Sequence, residues 1–153
     1  MAVEIISGLY LGNKMNSHNL EFLTSRKIGV IINTTEEVPF FNECKNIGIQ
    51  CIRVPISDSV SQTEKANNEF YYQFSDLCKL IDNKLKKNIN ILIHCRYGKY
   101  RSTALVIAYL MYKTNLPFKK LYDLLKTKYP LVKRKKHIFL EALKRWEEDK
   151  KNI

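Results

Sequence analysis

Two short runs, Gly29–Asn33 (GVIIN) and Asn90–His94 (NILIH), are apolar and β-branched, without the in–out alternation of a strand that has one wet face. Such runs suit strands covered on both sides, which calls for a largely parallel sheet with helices on its two faces. Ser102–Tyr112 is apolar nearly all round and reads as a central, buried helix. Around these, Glu4–Ile6 and Leu9–Leu11 read as strands divided by a Ser7-Gly8 turn, and Gln50–Pro55 as another strand that leads into a loop. Asn67 to Lys86 is the best amphipathic helix, with Phe70, Phe74, Leu77, Ile81 and Leu85 at helical spacing. Further helices are expected from Asn16 or Ser17 to before Lys27, from Pro117 to near Tyr129, and from Lys136 to Asp149. The expectation is a single compact α/β domain over residues 1–153, a mixed but mostly parallel sheet flanked by helices. With 153 residues and 45% apolar content, one core is feasible and two are not.

The remaining composition narrows the function classes. The apolar run Ala104–Tyr112 falls well short of the ~20 residues that span a bilayer, so no membrane insertion is expected. The opening MAVEIISGLY lacks a basic start and is interrupted by Glu4, unlike a secretion signal. A reducing compartment is expected, cytoplasmic with nuclear entry as the variant. Cys44, Cys51, Cys78 and Cys95 fit that compartment, since none forms a CxxC pair or a disulfide framework. His18, His94 and His137 are scattered, so neither metal nor cofactor is expected. The net charge of +11 favours anionic partners, although lysines on a solvated face account for most of it. The run Lys133-Arg134-Lys135-Lys136 is read the same way, with nuclear import or an anionic partner as the sharper alternative. With the first strand at Glu4, no arm is available for swapping and a monomer is expected.

The chemistry concentrates in His94-Cys95-Arg96-Tyr97-Gly98-Lys99-Tyr100-Arg101-Ser102, between a buried strand and a buried helix. That junction aims backbone N–H groups and the positive end of a helix at an anion. Cys95 meets this field together with Arg101, which favours thiolate over thiol. Arg101, six residues on, offers a planar fork that can take two phosphate oxygens. Gly98 permits the sharp turn, Ser102 can donate to the sulfur, and His94 orients the loop through backbone contacts. Arg96 and Lys99 make the loop basic and should point to the rim of the pocket, while Tyr97 and Tyr100 can frame an aromatic ring. Cys44, Cys51 and Cys78 sit in ordinary amphipathic contexts and are expected to be inert.

These residues match the dual-specificity phosphatase signature, His-Cys-x-x-Gly-x-x-Arg-Ser, and the chain resembles that branch of the protein tyrosine phosphatases over nearly its whole length. Gly8–Gly12, Ile31–Thr35, Val54–Asp58, Ala108–Met111 and the closing Phe139, Leu143, Trp146 and Glu147 are similar to the family's hairpin, strands and helices. The resemblance implies that Asp58 is the general acid, with Glu64 as fallback because Val60–Asn67 looks like an insertion before the signature. It implies metal-independent hydrolysis of phosphotyrosine and phosphoserine/threonine proteins through a cysteinyl-phosphate. Two alternatives stand beside it: a polyphosphorylated substrate (an RNA 5′-triphosphate, an inositol phosphate or a phosphoinositide), and a phospho-binding pseudophosphatase.

Overall fold

The chain turns back on itself at Ser7-Gly8, where Gly8 takes φ +86°, a left-handed value that L side chains rarely adopt. The turn joins strands β1 (Val3–Ile6) and β2 (Leu9–Gly12) into an antiparallel hairpin. Three more strands follow in parallel: β3 (Ile28–Thr35), β4 (Gln50–Ile56) and β5 (Asn90–His94), and the sheet order is β1-β2-β5-β3-β4. The computed structural model describes residues 1–57, 59–132 and 138–151. Asp58, the basic run Lys133–Lys136 and His137 lie outside the described residues.

Side chains on the central strands alternate between two cores, so both faces are dry. Leu9, Leu11, Val30, Ile32, Ile91 and Ile93 enter the larger core, under helices α4 (Thr63–Lys86), α5 (Arg101–Thr114), α6 (Phe118–Lys128) and α7 (Leu140–Lys151). Tyr10, Ile31 and Leu92 enter a smaller core on the other face, with Leu23 of α2 (Leu20–Ser25) and Cys44 of α3 (Glu43–Asn46). This two-sided burial is why GVIIN and NILIH carry no polar alternation.

Helix α5 is the axis of the larger core; every residue from Arg101 to Met111 is buried. Helix α7 is tied on by polar contacts within the apolar layer. The Trp146 indole N–H donates to the Ala108 carbonyl at 3.0 Å, and the Asn67 side chain bridges the Ile138 carbonyl (2.7 Å) and the Ala142 N–H (2.9 Å). Glu147 Oε1 accepts the Phe118 N–H at 2.8 Å, filling an open donor at the start of α6 just after Pro117. Among the described residues no helix is long and apolar enough to cross a membrane.

Three local expectations change. The single helix expected after Asn16 is two short ones, α1 (Lys14–Ser17) and α2, because Asn13 and Asn19 each cap a new start with a side-chain oxygen. Helix α4 starts at Thr63, four residues before Asn67. Val60–Gln62 is a 3₁₀ turn leading into it. Helix α3, four residues long, has no counterpart among the expected elements.

Candidate active site

Strands β2, β5, β3 and β4 run parallel, so their C-terminal ends open on one edge of the sheet, where crevices in α/β folds bind ligands. In register there, Gly12 lies beside His94, His94 beside Asn33, and Asn33 beside Arg53. The segments leaving those strands build the site.

Leaving β5, the chain wraps through Cys95–Tyr100 and enters α5 at Arg101. Cys95 Sγ is the focus of the loop: the Gly98 N–H donates to it at 3.2 Å, and Ser102 Oγ lies 3.1 Å away. Cys95 is almost wholly buried, so the sulfur sits at the base of the loop. Gly98 has φ +72°, and a β-carbon there would collide with the Tyr129 hydroxyl and stand 3.0 Å from the Gly12 carbonyl. Both the turn and the packing therefore call for glycine. Thr34 Oγ1 donates to the His94 carbonyl at 2.9 Å, and the Lys14 N–H donates to the Arg96 carbonyl at 3.2 Å. Thr103 Oγ1 reaches the carbonyls of Lys99 and Tyr100 at 2.8 and 2.9 Å, closing the loop onto α5.

His94 is buried, with Nδ1 3.2 Å from the Cys95 carbonyl. Burial pushes its imidazole down to about 4, so it is neutral at physiological pH. The other thiols have no such setting: burial pushes Cys44 up to about 11 and also raises Cys51 and Cys78.

Arg101 is 1% exposed, yet its guanidinium is thoroughly engaged. Nη1 donates to the Ile56 carbonyl at 3.0 Å and to Glu37 Oε1 at 2.9 Å, and Nη2 donates to Glu37 Oε2 at 3.0 Å. The same Glu37 oxygen accepts from Arg96 Nε at 3.1 Å. The hydrogen bonds from Arg101, helped by those from Arg96, hold the Glu37 carboxyl down at about 2, against the cost of its burial. Arg96, expected at the rim of the pocket, is partly exposed and paired with this carboxylate, which it shares with Arg101. Lys99 and Tyr97 are exposed on the loop, and Tyr100 is half-buried against the larger core. Glu64 stands on the exposed first turn of α4, beside a surface hollow lined by Ser61, Gln62, Lys65, Asn68 and Tyr72. No residue of the Cys95 loop lines that hollow.

Glu37 is the residue that reading the sequence missed. Its partners lie 59 and 64 positions away, and no spacing rule links them. One signal was available: the switch from apolar to polar at Asn33-Thr34-Thr35, where a doubly buried strand ends beside the strand that carries His94. Among the described residues no three His, Cys, Asp or Glu side chains gather where a metal ion could be held.

Residues 9–149 match the family model described as dual specificity phosphatase, catalytic domain. The human protein named dual specificity protein phosphatase 9 is 39% identical over 126 residues, covering 82% of this chain and 31% of that protein. The Drosophila melanogaster protein named dual specificity protein phosphatase Mpk3 is 31% identical over 143 residues, covering 92% of this chain and 33% of that protein. The chain thus spans about a third of the length of these curated relatives. The crystal structure of human DUSP28 has the same fold, with a TM-score of 0.82 at 21% identity, covering 97% of this chain and 93% of that one.

Proposed function

The chain belongs to the dual-specificity phosphatase catalytic-domain family, and from that premise we propose that it removes phosphate from phosphotyrosine and phosphoserine/threonine proteins through a cysteinyl-phosphate. The observation that carries this reading is the convergence of the Gly98 N–H and the Ser102 hydroxyl on Cys95 Sγ, at 3.2 and 3.1 Å, in a loop that runs into the buried Arg101. A sulfur so placed is both aimed and cushioned as a leaving group.

In the first step the Cys95 thiolate attacks phosphorus in line, forming the S–P bond as the ester P–O bond breaks. The departing oxygen takes a proton from Asp58, the acid assigned by family resemblance. Loop N–H groups and Arg101 hold the equatorial oxygens, so catalysis is mainly positioning and charge stabilisation. In the second step water attacks the phosphocysteine and gives a proton to Asp58. The S–P bond breaks, phosphate leaves, and the Ser102 hydroxyl donates to the returning thiolate. No redox or metal step is needed for the electrons to balance.

A polyphosphate substrate is disfavoured because one of the two loop cations proposed for a second phosphate, Arg96, is already bound to Glu37. Lys99 alone gives little discrimination when exposed. The acting form in this reading is a monomer in the cytoplasm or nucleus, met by phosphorylated proteins. A phosphate-release panel tests it. Phosphotyrosine and phosphothreonine peptides should be turned over faster than inositol polyphosphates or triphosphate-ended RNA. Release confined to the polyphosphates would overturn the protein-substrate reading, and tight phosphopeptide binding without release would make the chain a binding module.

A further inference from the structure

Glu37, and the polar groups that hold its segment, have no part in the two chemical steps above. Resting on the reading of Arg101 as the phosphate clamp, we propose that Glu37 is a positioning residue for that clamp, and that Arg53 acts through it by pinning the segment that carries it.

Glu37 grips one side of the Arg101 fork, through both Nη1 and Nη2, while the Ile56 carbonyl takes another Nη1 hydrogen. A guanidinium bound by two planar acceptors is fixed in tilt as well as in place. The third contact, to Arg96 Nε, ties the loop's first residue after the cysteine to the same carboxylate. Glu37 therefore couples the two ends of the Cys95 loop.

The carboxylate is useful only if its own backbone is fixed, and that backbone is held on either side. Asn33 Nδ2 donates to the Val38 carbonyl at 2.8 Å, and Thr35 Oγ1 accepts the Val38 N–H at 2.9 Å while donating to Asn33 Oδ1 at 2.7 Å. From β4, Arg53 Nη1 donates to the carbonyls of Thr35 (2.8 Å) and Glu36 (3.3 Å), and Nη2 donates to that of Val38 (2.9 Å). Its guanidinium also lies 4.9 Å from the Phe40 ring centroid. Every residue flanking Glu37 thus has a carbonyl on Arg53. One arginine sets the segment, the segment sets the carboxylate, and the carboxylate sets the second arginine.

The test measures inorganic phosphate binding by calorimetry on the full chain, with kcat and KM on p-nitrophenyl phosphate alongside, in wild type, Glu37→Ala, Glu37→Gln, Arg53→Ala and the Arg53→Ala/Glu37→Ala double variant. A misplaced clamp costs on the order of 10²-fold, so Glu37→Ala should weaken phosphate binding and lower kcat/KM by roughly 10–100-fold, kcat falling more than KM rises. Glu37→Gln keeps one acceptor oxygen and should recover part of the loss; it also carries the test if Glu37→Ala does not fold. Arg53→Ala should lose less, and the double variant should be no worse than Glu37→Ala, because the two act in series. Tighter phosphate binding in Glu37→Ala would overturn the proposal by making Glu37 a competitor for the clamp. Multiplicative losses in the double variant would overturn the role of Arg53. Phosphate binding needs no turnover, so a wild type that binds phosphate but releases none would sink the phosphatase reading and leave this one intact.

Discussion

The Cys95–Ser102 loop and the Asn33–Val38 segment sit side by side at one edge of the sheet and are built in opposite ways. The first is assembled by residues within eight positions: an N–H from Gly98, a hydroxyl from Ser102 and a forced turn, all around one sulfur. The second contributes one carboxylate whose two arginine partners are 59 and 64 residues distant, held by a third arginine 15 to 18 residues away from the carbonyls it grips. A local device leaves a spacing signature in the sequence. A device closed through the tertiary fold leaves only polar residues where a buried strand would otherwise be apolar.

The comparison breaks most severely if the local loop tolerates change. Arg101→Lys keeps the charge but loses the fork, and kcat should fall about 10²–10³-fold, the usual cost of a lost transition-state donor. Steady-state rates on p-nitrophenyl phosphate check this; a loss under threefold would mean that Arg101 serves Glu37 and not phosphate. Next in size is Gly98→Ala. The left-handed φ alone costs about 1–2 kcal/mol, and the β-carbon meets the Tyr129 hydroxyl and the Gly12 carbonyl. The midpoint of thermal unfolding should drop by several degrees, and Tyr129→Phe should restore part of it.

A smaller, kinetic effect separates sulfur chemistry from simple capping. In Ser102→Ala, cysteinyl-phosphate should accumulate and a pre-steady-state burst should grow; an unchanged kcat with no trapped intermediate would reduce Ser102 to a buried polar contact.

The smallest effect concerns pH. His94 has an ordinary value of 6.5 and is pushed by burial to about 4, so below pH 6.5 the unfolded chain binds a proton that the folded chain refuses. Stability should therefore fall as pH drops from about 6.5 towards 4. His94→Asn should flatten that slope in chemical denaturation; an unchanged slope would assign it to other groups.

The legibility of the fold follows the same division. β5 begins and ends at Asn90 and His94 as its pattern predicts, and β3 encloses Gly29–Asn33. Continuous β-branched runs admit few other placements. The short helices were harder. Asn13 and Asn19 each reset the start of a helix within a few residues, and α3 has too few residues for any periodicity to be visible. At the site, the thiol, the turn glycine and the hydroxyl were legible because each is required by its neighbours along the chain. The pairing of Arg96 with Glu37 was not legible because Glu37 reaches it only after β3 and β5 have paired.

The most direct test is to mix the full chain with p-nitrophenyl phosphate, quench in acid within the first turnovers, and locate covalent phosphate by peptide mass spectrometry. Phosphate should sit on the peptide containing Cys95, vanish in Cys95→Ser, increase in Ser102→Ala, and form equally in the presence of EDTA. Turnover with no phosphocysteine, or label on another residue, would contradict the account.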